Sequence, residues 1–184
     1  MPLLLKGGTS LLNAVQILRT LEIHEGHIVA DLGCGGAGHF VGPTAAVVGK
    51  KGKVYAVDIQ KNVLNTVKSR LEMQGFEHVE LVRANLENVG STPIPQESCD
   101  FSLIINVLFQ NSKHADIIRE AVRFLKKGGR LVVIDWSISA IPFGPPLQYR
   151  LKPSSVLDIA QTLGLEFVSE FEPGYAHFGL IFKK

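Results

Sequence analysis

A glycine-rich stretch directly after a short apolar run has the residue types best suited to binding a ligand. It runs Val29-Ala30-Asp31-Leu32-Gly33-Cys34-Gly35-Gly36-Ala37-Gly38 and contains the spacing Gly-x-Gly-x-x-Gly. Glycines let the backbone turn sharply and approach a ligand, because no Cβ stands in the way. A helix that begins there adds unpaired N–H groups and the positive end of its dipole. Between a strand and a helix, this pattern is typical of nucleotide-type cofactor binding.

A second acidic residue ends the next apolar run. Asp58 follows residues 53–57 and lies twenty residues after Gly38. A carboxylate at this position can accept hydrogen bonds from both hydroxyls of a ribose. An Asp before a helix is also a common N-cap. Both roles are compatible, because a helical pattern follows at once.

The elements that position these residues follow from the alternation of short apolar runs with longer mixed segments. Strands are predicted over 27–31, 53–58, 79–83, 101–105, 130–136, 166–172 and 177–182, and helices over 10–21, 37–48, 61–74, 113–125 and 154–163. Only residues 173–176 join the last two strands, which is too short for a crossover helix and forces an antiparallel hairpin. We therefore predict an α/β fold over residues 1–184. It is a single-domain, doubly wound Rossmann-like sheet, mostly parallel with an antiparallel C-terminal hairpin strand.

Capping residues predict several helix ends. Thr9 or Ser10 would cap the first helix, and Ser154 or Ser155 would cap the last. Gly75 is expected to end the third helix. The basic and glycine-rich residues 126–129 would close the helix that ends at Leu125, since cations suit the negative end of a helix dipole.

Four segments, in order, resemble the motifs of class I S-adenosylmethionine-dependent methyltransferases. Asp-Leu-Gly-Cys-Gly at 31–35 resembles their first motif, 54–59 the second, 99–108 the fourth and 125–135 the strand-five signature. The resemblance covers residues 27–136, the hairpin extends it to the C-terminus, and it is closest to the ubiquinone/menaquinone-type, "type 11" branch. It implies an enzyme that uses S-adenosylmethionine and releases S-adenosylhomocysteine.

The resemblance also implies where each part of the cofactor lies. Asp31 and the backbone at Gly33 and Gly35 would hold its methionine part. Asp58 would hold the ribose hydroxyls, and Ile59 would pack on the adenine.

Polar residues at later strand ends complete the predicted site. Asn85 stands where the family often has an Asp that accepts from the adenine amino group, and an Asn oxygen can still accept that bond. Asn106 and Val107 would lie beside the sulfonium. The predicted cofactor-binding residues are Asp31, Gly33, Cys34, Gly35, Asp58, Ile59, Ala84, Asn85, Leu86, Asn106 and Val107.

The acceptor side is less defined, because methyl transfer mainly requires orientation and exclusion of water. The resemblance gives no catalytic residue that could be carried over. The candidates are therefore polar or aromatic residues where the acceptor would enter: Asn106, Trp136, Tyr149 and His177. Trp136 is expected to be a lid over the site. His177 has an ordinary pKa near neutral and could be a base, although covering the hairpin together with Tyr175 is the favoured role.

Two longer segments are expected to shape the acceptor site. Residues 137–153 contain four prolines and form the predicted substrate loop. Residues 1–26 contain the first helix, and Leu3–Gly8 would fold over the cofactor as a lid. With no large cap, the site is either open or closed by a second subunit, so a homodimer is one prediction.

Composition bounds the class of protein. A hydrophobic fraction of 46% and a charged fraction of 20% exclude a disordered chain, and the net charge of +2 excludes no partner. Cys34 and Cys99 have no Cys or His partner in sequence, so neither a disulfide nor a metal is predicted. No apolar stretch is long enough to span a membrane, and a cytoplasmic enzyme is expected.

The leading functional hypothesis is methylation of a small molecule. A methyltransferase for protein or RNA would instead have an open site flanked by Arg83, Arg130 and Lys152. A non-catalytic cofactor-binding or partner protein is a third alternative. An NAD-dependent dehydrogenase is a fourth, opposed because Asp31 would repel a pyrophosphate.

Overall fold

A computed structural model describes residues 11–139 and 143–184, and within these residues the seven strands form one sheet. The strands are β1 (Ile28–Leu32), β2 (Lys53–Asp58), β3 (Val79–Arg83), β4 (Cys99–Ile105), β5 (Leu125–Trp136), β6 (Glu166–Phe171) and β7 (His177–Lys183). The α-helices are α1 (Ala14–Thr20), α2 (Val41–Val48), α3 (Lys61–Gln74), α4 (His114–Phe124) and α5 (Pro153–Thr162). Two single-turn 3₁₀ helices cover Leu108–Gln110 and Leu147–Tyr149.

The strand order is β3-β2-β1-β4-β5-β7-β6. All pairs from β3 to β5 are parallel, whereas β7 runs antiparallel to both β5 and β6. This confirms the predicted doubly wound sheet with an antiparallel hairpin strand. The order reverses between β1 and β4, and ligands bind such sheets at the carboxyl ends of the strands flanking that point. That residues 1–184 form one domain stays a prediction.

Two hydrophobic cores hold the helices on opposite faces of the sheet. One packs α4 and α5 against the face that carries Leu131, Val133 and Leu180. The other packs α1, α2 and α3 against the face that carries Val132 and Ile134. Because consecutive strand residues face opposite sides, a central strand covered on both faces must be continuously apolar, as β5 is from Leu131 to Ile134.

The start of β5 differs from the prediction. Helix α4 ends at Phe124, and Leu125 already pairs with Cys99 of β4. Residues 126–129 therefore belong to an irregular start of β5 and do not close the helix. The physical reason is long-range pairing: the Gly128 N–H donates to the carbonyl of Lys184 over 2.7 Å, which the local sequence does not reveal.

Helix starts were the least predictable boundaries. The cap of α1 is Asn13, whose side chain accepts from the Gln16 N–H, while Thr9 and Ser10 lie outside the described residues. Helix α5 begins one residue before the serines, at Pro153, whose fixed φ and missing N–H suit a first turn. The expected Gly75 cap of α3 is confirmed by its left-handed conformation. None of the helices in residues 11–139 and 143–184 is long and apolar enough to cross a membrane.

Candidate active site

A cleft of about 480 Å³ opens at the carboxyl ends of β1, β2 and β3, beside the point where the strand order reverses. This volume is in the range of small-molecule and cofactor sites. The predicted cofactor residues that line it are Gly33, Gly35, Asp58, Ile59, Ala84, Asn85, Leu86 and Val107. Asp31, Cys34 and Asn106 are buried behind this surface. Predicted cofactor residues from four separate segments therefore lie together at this edge of the sheet.

The glycine turn has two distinct steric requirements. Gly33 adopts a positive φ of 81°, and a Cβ there would lie 2.5 Å from Cγ2 of Val107. Gly35 also has a positive φ, of 64°, but a Cβ there would meet nothing within 4 Å. Gly33 is thus needed for close packing of β1 against the end of β4. Gly35 leaves backbone open to the cleft, where a ligand can approach it.

Asp31, at the end of β1, is a buried carboxylate without a full set of partners. Its side chain is 3% exposed, and Oδ2 has no hydrogen-bond partner among the described residues. Burial raises the pKa of Asp31 to about 7, and the neighbouring Asp58 carboxylate adds to the shift. A buried acid in this state gains most from a cationic ligand. The same burial and the two acids raise the pKa of the Cys34 thiol, which therefore stays protonated.

Asp58 organises the loops at the end of β2. Its Oδ1 accepts from the Gln60 N–H over 2.9 Å, and Oδ2 accepts from the Gly35 N–H over 3.2 Å. The formal N-cap of α3 is Gln60, so Asp58 supports the helix start from two residues upstream. Each carboxylate oxygen has a further lone-pair direction, which leaves acceptors for two ligand hydroxyls.

The side of the cleft expected to hold adenine is formed by Ile59 and Asn85. Ile59 is largely exposed, as an apolar ligand-facing residue would be. The Asn85 oxygen accepts from the Glu87 N–H over 3.0 Å, which orients its amide and leaves one lone pair. The Ala84 N–H donates to the carbonyl of Asp58 over 3.2 Å, so the ends of β2 and β3 are fixed relative to each other.

Asn106 follows β4 in a strained conformation. Its φ is +55°, in the left-handed region that residues other than Gly seldom adopt. Its backbone N–H donates to the carbonyl of Ile134 over 2.8 Å, whereas neither polar atom of its buried side chain has a described partner. Strain and unpaired buried polar atoms together are frequent at functional sites.

The other catalytic candidates lie apart from the cleft. Trp136 and His177 pair at the end of the β5–β7 ladder, and their ring centroids are 4.5 Å apart. Both side chains are buried. Trp136 packs in a core cluster with Phe109 and Ala176, under the backbone of Gly144, and is not the lid over the site that we predicted. Tyr149 is 54% exposed, on a 3₁₀ helix. Of Tyr175 and His177, the two residues expected to cover the hairpin, Tyr175 is exposed and His177 is buried.

Arg150 is the residue in this region that the sequence did not single out. Its guanidinium donates to four backbone carbonyls of the predicted substrate loop, those of Ser137, Ser139, Phe143 and Pro145, over 2.8–3.0 Å. Nothing in the local sequence indicates this, because an arginine beside prolines is usually a surface residue. Arg150 fixes the described part of the loop, while residues 140–142 lie outside the description.

Asp135, at the end of the strand-five motif, has a supporting role. Its carboxylate accepts from the backbone N–H groups of Phe109, over 3.2 Å, and Trp136, over 2.8 Å. Burial raises the pKa of Asp135 to about 7. It thus joins the segment after β4 to the end of β5.

The basic residues expected beside a macromolecular substrate do not form one surface. Arg83 lies at the cleft, where its Nε–H donates to the carbonyl of Ile59 over 3.2 Å. Arg130 pairs with Phe101 near the start of β4 and contacts Glu22 over 3.3 Å, at the opposite edge of the sheet. These two cations therefore cannot contact one ligand surface beside the cleft.

Comparisons with known proteins agree with this geometry. A family model described as "Methyltransferase domain" (Methyltransf_11) matches residues 30–133, more than half of the chain. The chain is similar over 97% of its length to a crystal structure of a SAM-dependent methyltransferase from Aquifex aeolicus, with a TM-score of 0.86, 25% identity and coverage of 93% of that chain. The chain therefore has the fold of a class I methyltransferase. The chain belongs to the type 11 methyltransferase-domain family.

Curated relatives match a shorter part of the chain. A demethylmenaquinone methyltransferase from Anoxybacillus flavithermus is 28% identical over 120 residues, which is 65% of this chain and 49% of that protein. The ubiquinone/menaquinone biosynthesis C-methyltransferase UbiE from Vibrio vulnificus is 34% identical over 113 residues, 61% of this chain and 42% of that protein. The chain thus spans about half the length of the curated relatives it matches.

The family implies S-adenosylmethionine as the cofactor, and the residues present fit it. The cofactor carries a cationic amino acid group, a ribose with two hydroxyls and an adenine. Asp31 offers a buried, unpaired carboxylate oxygen, Asp58 offers two acceptors, and Ile59 offers an apolar surface. This sequence of partners along the cleft matches the sequence of chemical groups along the cofactor.

Proposed function

We propose that this protein is an S-adenosylmethionine-dependent methyltransferase that acts on a small-molecule acceptor. The observation that carries the proposal is the Asp31 carboxylate, which is buried at the end of β1 with Oδ2 unpaired. Leaving a buried carboxylate without a partner costs free energy, and a cationic ligand group removes that cost. An uncharged or phosphate-rich ligand would not remove that cost.

The work of the chain's own residues is to bind, orient and exclude water. Asp31 would accept from the amino group of the cofactor, with the open backbone at Gly35 beside it. Asp58 would fix the ribose, and Val107, packed onto Gly33, would form the wall nearest the reacting centre. When bound, the cofactor supplies a methyl group activated by a cationic sulfur, and the protein contributes alignment of the acceptor with that methyl group.

The names of the relatives suggest a class of acceptor. Two of them are named for menaquinone or ubiquinone biosynthesis, and one of these is named a C-methyltransferase. Carried to this chain, this supports an aromatic, oxygen-bearing small molecule as the acceptor. Arg83 and Arg130, two of the three basic residues named for a protein or RNA substrate, lie at opposite edges of the sheet and so do not support that alternative.

The proposal is tested by calorimetric titration of the purified protein with S-adenosylmethionine, S-adenosylhomocysteine and NADH. We expect both sulfur cofactors to bind with micromolar dissociation constants and NADH not to bind. Asp58→Ala should weaken both sulfur cofactors, whereas Asp158→Ala, an exposed acid on α5, should leave their affinity unchanged. Binding of NADH alone would reject the methyltransferase function in favour of a dehydrogenase.

A non-catalytic cofactor-binding protein is distinguished by a second measurement. Incubation with methyl-labelled cofactor and a panel of hydroxylated aromatic compounds should give labelled product. Cofactor binding without any transfer across the panel would favour the non-catalytic alternative. A homodimer that closes the site and a cytoplasmic location stay predictions from the sequence.

A further inference from the structure

Trp136, Arg150 and His177 form a buried group on the acceptor side of the molecule, here called the Arg150 cluster. The guanidinium carbon of Arg150 lies 5.6 Å from the centre of the Trp136 ring, and the centroids of the Trp136 and His177 rings are 4.5 Å apart. Arg150 is 8% exposed and His177 is 4% exposed. The cluster lies at the carboxyl end of β5. This strand pairs with β4, and Asn106 and Val107 follow directly after β4.

The Arg150 cluster holds more hydrogen-bond donors than the described residues satisfy. An arginine has five N–H groups, and four of those of Arg150 are used by loop carbonyls. The indole N–H of Trp136 has no partner among the described residues, and neither does either nitrogen of His177. A neutral imidazole carries one N–H, so the Trp136 N–H and one His177 N–H have no acceptor among the described residues, and the fifth N–H of Arg150 is not used by the loop carbonyls. Buried donors in native proteins are nearly always paired, which indicates a missing acceptor.

The charge of the Arg150 cluster is also uncompensated. No carboxylate of the described residues forms an ion pair with Arg150, and burial lowers its pKa with no acidic neighbour opposing the shift. The Arg150 charge and burial together lower the pKa of His177 to about 4, so its imidazole is neutral at physiological pH. The carboxylate of Asp135 is committed to backbone N–H groups. One positive charge therefore remains in a site that lacks an anion.

We propose that the Arg150 cluster binds the anionic oxygen of the methyl acceptor, a carboxylate or an ionised aromatic hydroxyl, with Arg150, Trp136 and His177 as its donors. This deepens the proposed function and rests on it. The acceptor class follows from the chemistry of the cluster: three N–H donors and one uncompensated positive charge match an oxygen anion. A neutral ligand would use the donors and leave the charge unpaired.

The same cluster is poorly suited to removing a proton from a neutral hydroxyl. An ordinary phenol has a pKa of about 10, so transfer of its proton to His177 would be unfavourable by about a millionfold. His177 is therefore a binding residue and not a general base. The acceptor must arrive already ionised, or with a hydroxyl acidic enough to ionise when it binds beside Arg150.

Access to the cluster depends on the segment that covers it. Gly144 has a φ of +86°, and a Cβ there would lie 2.6 Å from the Trp136 ring, so its backbone rests on the indole. In the proposed binding step, Phe143–Pro146 withdraws from this ring, and the Arg150 N–H groups that donate to the Phe143 and Pro145 carbonyls are exchanged to the ligand. Phe143, whose ring is 6.4 Å from that of Trp136, would then flank an aromatic ligand.

The only tryptophan of the chain is Trp136, so its fluorescence reports directly on the cluster. The protein, saturated with S-adenosylhomocysteine, is titrated with benzoate, with pentafluorophenol, which is ionised at neutral pH, and with benzamide, the neutral analogue of benzoate. We expect saturable changes in indole emission with one or both anions, with affinity roughly tenfold above that of benzamide. Benzoate and pentafluorophenolate distinguish a carboxylate site from an aromatic oxyanion site.

Variants separate binding at the cluster from a general effect. Arg150→Gln should weaken anion binding at least tenfold, and Arg119→Gln, which removes an exposed cation from α4, should not change it. Because Arg150→Gln also releases the loop, His177→Phe is the second variant. It keeps an aromatic ring against Trp136, removes the imidazole N–H and should cost roughly fivefold.

The outcomes are distinguishable from those of the proposed function. Equal binding of benzoate and benzamide, or anion binding that neither Arg150→Gln nor His177→Phe alters, overturns the inference. Calorimetry with S-adenosylhomocysteine tests the cofactor site separately, so a protein that binds the cofactor but shows no anion preference fails only the inference. A protein that binds no cofactor fails the proposed function.

Discussion

The two halves of the carboxyl edge of the sheet have opposite charge and opposite exposure. The cofactor half, around β1 and β2, holds two carboxylates, Asp31 and Asp58, against an open cleft of about 480 Å³. The acceptor half, around β5 and β7, holds the buried cation Arg150, which forms no ion pair with a described acid, while the Asp135 carboxylate there is committed to backbone N–H groups. An electron-poor methyl donor and an electron-rich acceptor require such opposite environments. On the two proposals above, each half is shaped to the charge of its own ligand.

Asp31→Asn should give the largest change in the cofactor half. Loss of the carboxylate removes the partner of the cofactor's cationic amino group, so affinity for S-adenosylhomocysteine should fall by roughly 100- to 1000-fold, measured by calorimetry. Asp100→Asn, at the opposite edge of the same sheet, should leave that affinity unchanged. Equal losses in both variants would show that folding, and not the buried charge, is responsible.

The same variant should make the free protein more stable. The pKa of Asp31 is about 7 in the folded chain and close to 3.8 when unfolded, so the unfolded state releases the proton first. The stability that this group contributes is fully present below pH 3.8 and is lost as pH rises towards 7. At pH 8, Asp31→Asn should therefore raise the free energy of unfolding by roughly 2–4 kcal/mol. Urea unfolding at pH 4 and pH 8 measures this gain, which should vanish at the lower pH.

Asp58→Ala should have the next largest effect. It removes both ribose acceptors and the carboxylate that holds the Gly35 and Gln60 N–H groups, so cofactor affinity should fall by roughly 10- to 100-fold. Asp58→Asn keeps one oxygen acceptor and should lose less. A loss in Asp58→Asn as large as in Asp58→Ala would mean that charge, and not hydrogen bonding, dominates at this position.

The pH dependence of cofactor binding should follow the ionisation of Asp31. The ionisable groups that face it are the Asp58 carboxylate and the Cys34 thiol, and the raised pKa of that thiol keeps it protonated. Only ionised Asp31 attracts the cationic amino group, so affinity should fall about fivefold between pH 7 and pH 6. Calorimetry across this range should show the fall in the wild-type protein and its absence in Asp31→Asn.

Gly144→Ala should give the smallest effect and tests the acceptor half. The new Cβ would clash with the Trp136 ring as well as strain a positive φ, so we expect a loss of about 1–3 kcal/mol in the free energy of unfolding and altered indole emission. Gly164→Ala carries the same strain, at a φ of +78°, but meets open space. Identical emission and stability in the two variants would show that the loop does not rest on Trp136. Cofactor affinity should stay unchanged in both.

The sequence by itself determined the sheet, its order of elements and the cofactor half of the edge. This was possible because the information is local: Asp31, Gly33 and Gly35 lie within five residues, and Asp58 ends the next strand. Backbone conformation at a glycine and the direction of a strand end are decided by neighbours in the chain. Asp31 could be placed in this way, but its unpaired oxygen and raised pKa could not.

Only the tertiary structure decided the acceptor half. Trp136 and His177 are 41 residues apart in the chain, and the antiparallel β5–β7 register brings them together. The burial of Arg150 depends on carbonyls of a loop whose path no periodicity specifies. The same is true at the start of β5, where pairing of Gly128 with Lys184 replaces the predicted helix end. Burial, charge compensation and long-range pairing are properties of several segments together, and no single segment of the sequence contains them.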